Sequence, residues 1–243
     1  MVAFNLHGQH FTILNGGPQF KFTPAISLYV VCRTAEEANL LWSRLVEGGS
    51  TMMPLQAYPW SACYGWLADK YGLHWQVALH TEEDFQQKIS PAMVFMGNRQ
   101  HLGEESIRFY TSLFPNSRTN FIAHFEEGEQ GGYPGSLKFV MYQLNGQTFV
   151  AMGNSHQHAW DFNEAVSFQV ACDTQDEIDH YWNAFANGGT EEQCGWVRDR
   201  FGVWWQVFPA ILPKLLADKE RAGRVMLAFM QMQKFDLDML LKA

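Results

Sequence analysis

GWLADKYGLHWQV (65–77) and GWVRDRFGVWWQV (195–207) are two copies of one unit, identical at seven of thirteen positions and conservatively exchanged at four more. A repeat of that quality decides how every flanking segment is read. Upstream of the copies stand TAEEANLLWSRLVEGG (34–49) and TQDEIDHYWNAFANGG (174–189), and before those AISLYVVC (25–32) and AVSFQVAC (165–172). Strand, helix, loop, Gly-Trp strand and last strand therefore recur in register. Thr34 and Thr174 take the N-cap position with Glu37 and Glu177 three residues on, the capping-box spacing that satisfies amides otherwise left without partners. Apolar residues at Ala38, Leu41, Trp42 and Leu45, and at Ile178, Tyr181, Trp182 and Phe185, form one stripe of a 3.6-residue period, so each helix lays one face on a sheet. Paired glycines at 48–49 and 188–189 end both helices, because glycine takes the left-handed conformation without penalty.

The repeat extends further back. LHGQHFTILN (6–15) matches LNGQTFVAMG (144–153), each a hairpin turning at His-Gly or Asn-Gly. Before the second hairpin come a strand, AMVFMGN, a helix ending in FYTSLFPNS (109–117) and the strand NFIAHFEE; the first has no equivalent. The repeating unit is β-α-β-β-β, present as a fragment over about 1–18 and as complete modules over about 19–80, 91–155 and 160–209. A polar linker covers 81–90, and a helical tail follows from Pro209, with Val225, Phe229 and Met232 on one face. Capped helices alternating with amphipathic strands give an α+β fold class, and paired modules would curl around a shared concavity with helices outside. The expected division is a partial N-terminal domain, 1–85, and a complete two-module domain with its tail, 86–243. The incomplete module leaves an open sheet edge and apolar surface, so cover by upstream residues or by a homodimer is expected.

Composition narrows the function classes. Seventeen Lys and Arg against 25 Asp and Glu give a net charge of −8, the wrong sign for a phosphate-neutralising grip on nucleic acid or for a basic membrane patch. The longest uncharged stretches, 48–68 and 139–160, are broken by Pro, Gly, Asn, Gln or His, so no membrane span is expected. No charged start followed by an apolar run appears, which points to a cytoplasmic chain. Cys32, Cys63, Cys172 and Cys194 lack CxxC spacing and read as reduced structural thiols.

FYTSLFPNS (109–117), LNGQTF (144–149), CGWVRDRFGVWWQVFP (194–209), LNGGPQFKFTPAIS (14–27) and the tail VMLAFMQMQKFDLDMLL (225–241) resemble the PhnB-like branch of the vicinal-oxygen-chelate superfamily. That superfamily includes glyoxalase I, bleomycin-resistance proteins and extradiol dioxygenases, and the branch often carries the label demethylubiquinone 3-methyltransferase. The resemblance implies paired βαβββ modules, two per cavity, with a divalent metal held by a first-strand His and a last-strand Glu. In this sequence the Glu position falls on Gln76 and Gln206 and the His position on Ser27 and Ser167, while 92–96 of the middle module contains no His. Amides and hydroxyls are poor ligands for zinc or nickel. No cofactor is therefore expected, and a divalent metal belongs to the alternative reading below.

Period-two alternation puts Gln206 on one face with Trp204 and Phe208, Gln76 with His74, Ser27 with Tyr29, and Ser167 with Gln169. These nine residues are the expected lining of ligand cavities, with Trp75, Trp205, Leu28 and Phe168 turned the other way. Gln76 and Gln206 can orient a ligand through two donors and two lone pairs, or can be amides satisfied by neighbours. His74 is the catalytic candidate, as a general base, although the second copy has Trp204 at its position. His156 and His158 lack a third ligand, and His124 lies in a strand. Cys32 and Cys172 read as packing residues rather than nucleophiles. A nucleotide-type cofactor would need a Gly-rich turn from strand to helix, whereas the Gly-rich stretch EEGEQGGYPGS (126–136) lies between two expected strands. The function expected is a protein binding a small-molecule ligand on a degenerate metal site. The alternative is an enzyme of the same superfamily, metal-assisted through substituted ligands such as His74, or metal-free with an amide polarising an oxygen; methyl transfer is set aside.

Overall fold

The structure is a computed structural model that describes residues 1–80 and 85–243. Its contacts divide the chain into two compact units, Met1–Asp161 and Phe162–Ala243. The first unit opens with a hairpin of β1 (Val2–Leu6) and β2 (Gln9–Ile13). Its turn residues His7 and Gly8 have φ of 50° and 84°, and Asn145 and Gly146 in the matching hairpin have 47° and 79°. Positive φ at both central positions matches the right-handed twist of the strands, as the His-Gly and Asn-Gly pairs predict.

Two complete modules follow in the same unit. The first contains β3 (Ile26–Cys32), α1 (Ala35–Leu45), β4 (Ser50–Tyr58), β5 (Ser61–Ala68) and β6 (His74–Leu79). The second contains β7 (Ile89–Met96), α2 (Leu102–Leu113), β8 (Arg118–His124), β9 (Leu137–Leu144) and β10 (Gln147–Asn154). All eight strands form one sheet in the order β4-β5-β6-β3-β7-β10-β9-β8. In each module the first and last strands run parallel, and the modules join through antiparallel pairing of β3 with β7.

The sheet hydrogen bonds between β3 and β7 hold these two modules in one contact unit, whose boundary lies at 161/162, whereas the sequence expectation set a division at 85/86. The linker expected over 81–90 is also shorter, because β7 already begins at Ile89, buried with Ser90 against β3; residues 81–84 of that linker lie outside the described residues.

The second unit holds the third module: β11 (Phe168–Cys172), α3 (Gln175–Ala186), β12 (Thr190–Glu191), β13 (Trp196–Arg198) and β14 (Trp204–Pro209). These strands make a four-stranded sheet in the order β11-β14-β13-β12. The tail is broken into three short helices, α4 (Leu212–Ala217), α5 (Ala222–Phe229) and α6 (Leu237–Lys242). Val225, Met232 and Phe235 are buried from it, and Asp236 caps α6 by accepting from Met239 N–H at 2.8 Å.

The local physics expected of the repeat is present in both copies. Thr34 and Thr174 Oγ1 accept from the amides of Glu37 and Glu177 at 3.1 and 3.2 Å, while the two glutamates reach back to the amides of Arg33 and Asp173. The Asp shared by both copies of the unit organises the tight turn into the last strand. Asp69 Oδ1 accepts from the amides of Tyr71 and Leu73, and Oδ2 from Trp75 Nε1 at 2.9 Å. Asp199 repeats this with Phe201, Val203 and Trp205. The turn closes on Gly72 and Gly202, with φ of 84° and 89°, a conformation that excludes most side chains. Trp75 and Trp205 thereby point to the helix side; Trp205 stacks on Phe185 of α3 at 4.5 Å.

Candidate functional site

In the first unit, side chains on alternate residues separate two faces. Leu28, Val30, Cys32 and Val77 pack toward α1 and its surroundings. Tyr29, Val31, Tyr64, Ala78, Ala92 and Val150 pack together on the opposite face, where Ser27 and Gln76 also lie. Both of these are fully buried. Gln76 Nε2 donates to Ser27 Oγ at 2.8 Å, and Gln76 Oε1 accepts from Tyr64 OH at 2.7 Å. The two positions at which the resemblance implies a first-strand and a last-strand ligand are thus in contact, because β3 and β6 are parallel neighbours with Tyr29 opposite Gln76.

Beside them Tyr29 OH and His80 Nε2 are 2.7 Å apart, and the His80 ring stacks on Phe85 at 3.9 Å. Burial, with a smaller contribution from the Arg33 guanidinium, pushes the His80 imidazole down to about 4, and burial pushes the Tyr29 phenol up. His80 is a residue that sequence reasoning missed. The signal was available, since 76, 78 and 80 share one face of an extended chain.

His74 is buried, with its ring edge-on to Trp66 at 6.5 Å. Its Nδ1 has no hydrogen-bond partner among the described residues. Burial lowers its pKa against the opposing pull of Asp69. Of two surface depressions, one of about 250 Å³ lies beside Arg99, Trp160 and Asp161, and one of about 270 Å³ beside Val31, Arg33, Phe85 and Lys88; neither has Ser27, Tyr29 or Gln76 in its walls.

The second unit presents the equivalent face differently. Gln206 Nε2 donates to Ser167 Oγ at 2.7 Å, the same bond as in the first copy. Its Oε1, however, has no partner among the described residues, and Gln206 is only half-buried. The reason is one residue: Cys194 stands where the first copy has Tyr64. Cys194 takes a left-handed backbone conformation, φ 60°, with its amide bonded to Met232 O and its thiol turned toward Phe229 O, so no hydroxyl comes to the amide oxygen. Around Gln206 the register sets Gln169 and Trp196 on its two flanks and Arg198 opposite Trp204. Trp204 packs edge-on to Trp196 at 6.3 Å, and the Arg198 guanidinium lies 5.9 Å from the Trp204 ring centre. Gln169 is exposed and Phe208 half-buried. Trp196 and Arg198 were not singled out from the sequence; their place on this face follows from the β13·β14 register.

The remaining candidates are placed apart from these groups. His124 is exposed and bonded to Glu104 at 3.1 Å. His158 packs against Trp160 at 5.0 Å. Burial pushes the free thiols of Cys32 and Cys172 up to about 11 and about 12. Among the described residues no group of three or more His, Cys, Asp or Glu side chains could hold a metal ion, and the Ser–Gln pairs in the ligand positions bind one another. The residues present therefore do not fit the superfamily's metal. Nor do they fit a nucleotide-type methyl donor at the Gly-rich stretch, which connects β8 to β9 and opens no helix. No helix among the described residues is long and apolar enough to cross a membrane.

The family model for 3-demethylubiquinone-9 3-methyltransferase matches residues 1–78 and 87–208. This chain belongs to that family. A PhnB protein of the family from Bacillus cereus, described as a putative 3-demethylubiquinone-9 3-methyltransferase, is 31% identical over 47% of this chain and 94% of its own, with a TM-score of 0.44. Glyoxalase I from Zea mays superimposes with a TM-score of 0.51 at 10% identity, over 79% of this chain and 70% of its own. A putative dioxygenase from Bacillus subtilis gives 0.42 at 10% identity, over 74% and 60%. At such identities the glyoxalase likeness concerns the fold, which is the tandem-module α+β architecture described above. No curated protein matches the sequence.

Proposed function

We propose that this family member binds a small molecule, without a metal, on the Gln206 face of its second unit. The observation that carries the reading is the open Oε1 of Gln206, held in place by the bond of its own Nε2 to Ser167. A half-buried, oriented carbonyl is a ready acceptor for a ligand O–H or N–H. Trp196 and Trp204 supply aromatic surface beside it, and Arg198 supplies positive charge over one ring. A flat aromatic molecule carrying a hydroxyl or amine donor fits this chemistry. The first unit keeps the same scaffold but spends the equivalent amide on Tyr64, which supports a binding role for one copy and a structural role for the other.

Titration of the intrinsic Trp fluorescence with a panel of phenols, catechols and aromatic amines tests the proposal. A saturable change is expected for at least one, with binding weakened roughly five- to ten-fold by Gln206→Ala, the effect of about 1 kcal/mol for one hydrogen bond. No saturable change across the panel, or binding indifferent to both Gln206→Ala and Trp204→Ala, would overturn it.

A further inference from the structure

The two copies differ at more than the residue that meets the glutamine amide. Where the first copy has Ser50, Ala68 and His74, the second has Thr190, Arg198 and Trp204, and the register sets these three in one row across β12, β13 and β14. Arg198 is exposed; its Nη2 donates to Thr190 Oγ1 at 3.1 Å, and its guanidinium lies 5.9 Å from the Trp204 ring centre. Both contacts orient the cation without neutralising it, and among the described residues it makes no ion pair. A guanidinium carries five N–H donors in a planar fork, so the bond to Thr190 leaves the greater part of the fork for a ligand.

Gln206 stands in the adjacent row, opposite Trp196, which makes Arg198 its diagonal neighbour on the same face. Diagonal neighbours of an antiparallel pair lie about 7–8 Å apart. The rings of Trp196 and Trp204, 6.3 Å apart, complete the same four-residue patch. One aromatic ring with a donor on one side and an anionic group on the other bridges a gap of that size. The first copy offers neither end: Tyr64 closes the oxygen of Gln76, and Ala68 in the place of Arg198 has no charge. An open acceptor and an unneutralised cation therefore occur together in one copy and are both missing from the other.

We propose that the ligand of the Gln206 face is an aromatic carboxylate, bearing a hydroxyl or amine across the ring from its acid group. Arg198 holds the acid and Gln206 Oε1 accepts from the donor. A carboxylate is planar and takes two parallel N–H bonds from the guanidinium fork, the geometry in which arginine recognises anions most selectively. With a net charge of −8 the chain as a whole repels an anion, so the preference for one depends on this single side chain. The inference rests on the reading that the Gln206 face takes a small molecule, and adds the charge and chemical class of that molecule.

Isothermal titration calorimetry of the full chain with 4-hydroxybenzoate, its methyl ester and 4-methylphenol tests this. The acid is expected to bind about ten-fold more tightly than the ester, the worth of one hydrogen-bonded charge, and to lose that advantage as salt is raised. Arg198→Gln, an exposed change expected to leave the circular dichroism unaltered, should bring the acid down to the affinity of the ester. Arg198→Lys keeps the charge without the fork and should retain part of the preference, whereas Gln206→Ala should weaken acid and ester alike. Equal binding of acid and ester, a preference that survives Arg198→Gln, or displacement of the acid by an equal concentration of inorganic phosphate would each overturn the carboxylate class while leaving small-molecule binding at Gln206 in place. Binding of none of the three probes would overturn both readings.

Discussion

Gln76 and Gln206 each donate to the serine of the parallel neighbouring strand, at 2.8 Å to Ser27 and 2.7 Å to Ser167. The copies differ in what the other end of the amide does, and that difference predicts unequal responses to substitution. Gln76→Glu buries a carboxylate and removes the donor to Ser27, which is expected to destabilise by roughly 3 kcal/mol. Gln206→Glu at its half-exposed position is expected to change stability by less than about 1 kcal/mol. Urea unfolding of both variants followed by circular dichroism measures the contrast; equal losses would contradict it.

Asp199 is buried and accepts two backbone amides and an indole N–H. Asp199→Ala leaves three buried donors without an acceptor and is expected to cost about 3 kcal/mol. Asp69→Ala, in a more open turn, should cost less. A midpoint shift for Asp69→Ala larger than for Asp199→Ala would count against this account.

The His80 imidazole sits at about 4, below its ordinary value of 6.5, because burial and then Arg33 disfavour the cation. The unfolded chain therefore binds a proton that the folded chain refuses. The stability linked to this group is complete above about pH 6.5 and is lost as the pH falls from there to about 4. With water screening part of the site, the loss amounts to about 2 kcal/mol. His74, lowered in the same direction by burial, adds to it. His80→Gln should flatten the decline in unfolding free energy between pH 6.5 and 4; an unchanged slope would refute the assignment.

With their thiols at about 11 and 12 through burial, Cys32 and Cys172 hold little thiolate at pH 8. Their reaction with an aromatic disulfide reagent should be at least about 100-fold slower in the folded chain than after unfolding. Mass-resolved labelling over time would show it, and rapid native labelling of either residue would argue for a different environment.

The sequence by itself determined the module. The Thr-x-x-Glu caps, the apolar stripes at Ala38–Leu45 and Ile178–Phe185 and the His-Gly and Asn-Gly hairpins are local relations among residues a few positions apart, and each appears in the structure as written. Alternation also set Ser27 with Tyr29 along one strand and Gln76 with His74 along another. What local pattern could not carry is which modules pair. The join of β3 to β7 is made by backbone hydrogen bonds, which no side-chain period records, and it places both modules in the unit Met1–Asp161. The state of each glutamine amide was likewise decided in three dimensions: Tyr64 and Cys194 occupy the same place in the repeat, but only the phenol reaches across β5 and β6 to the amide oxygen. Sequence periodicity fixes the direction of a side chain from its own strand, while occupancy of a face depends on residues delivered by neighbouring strands.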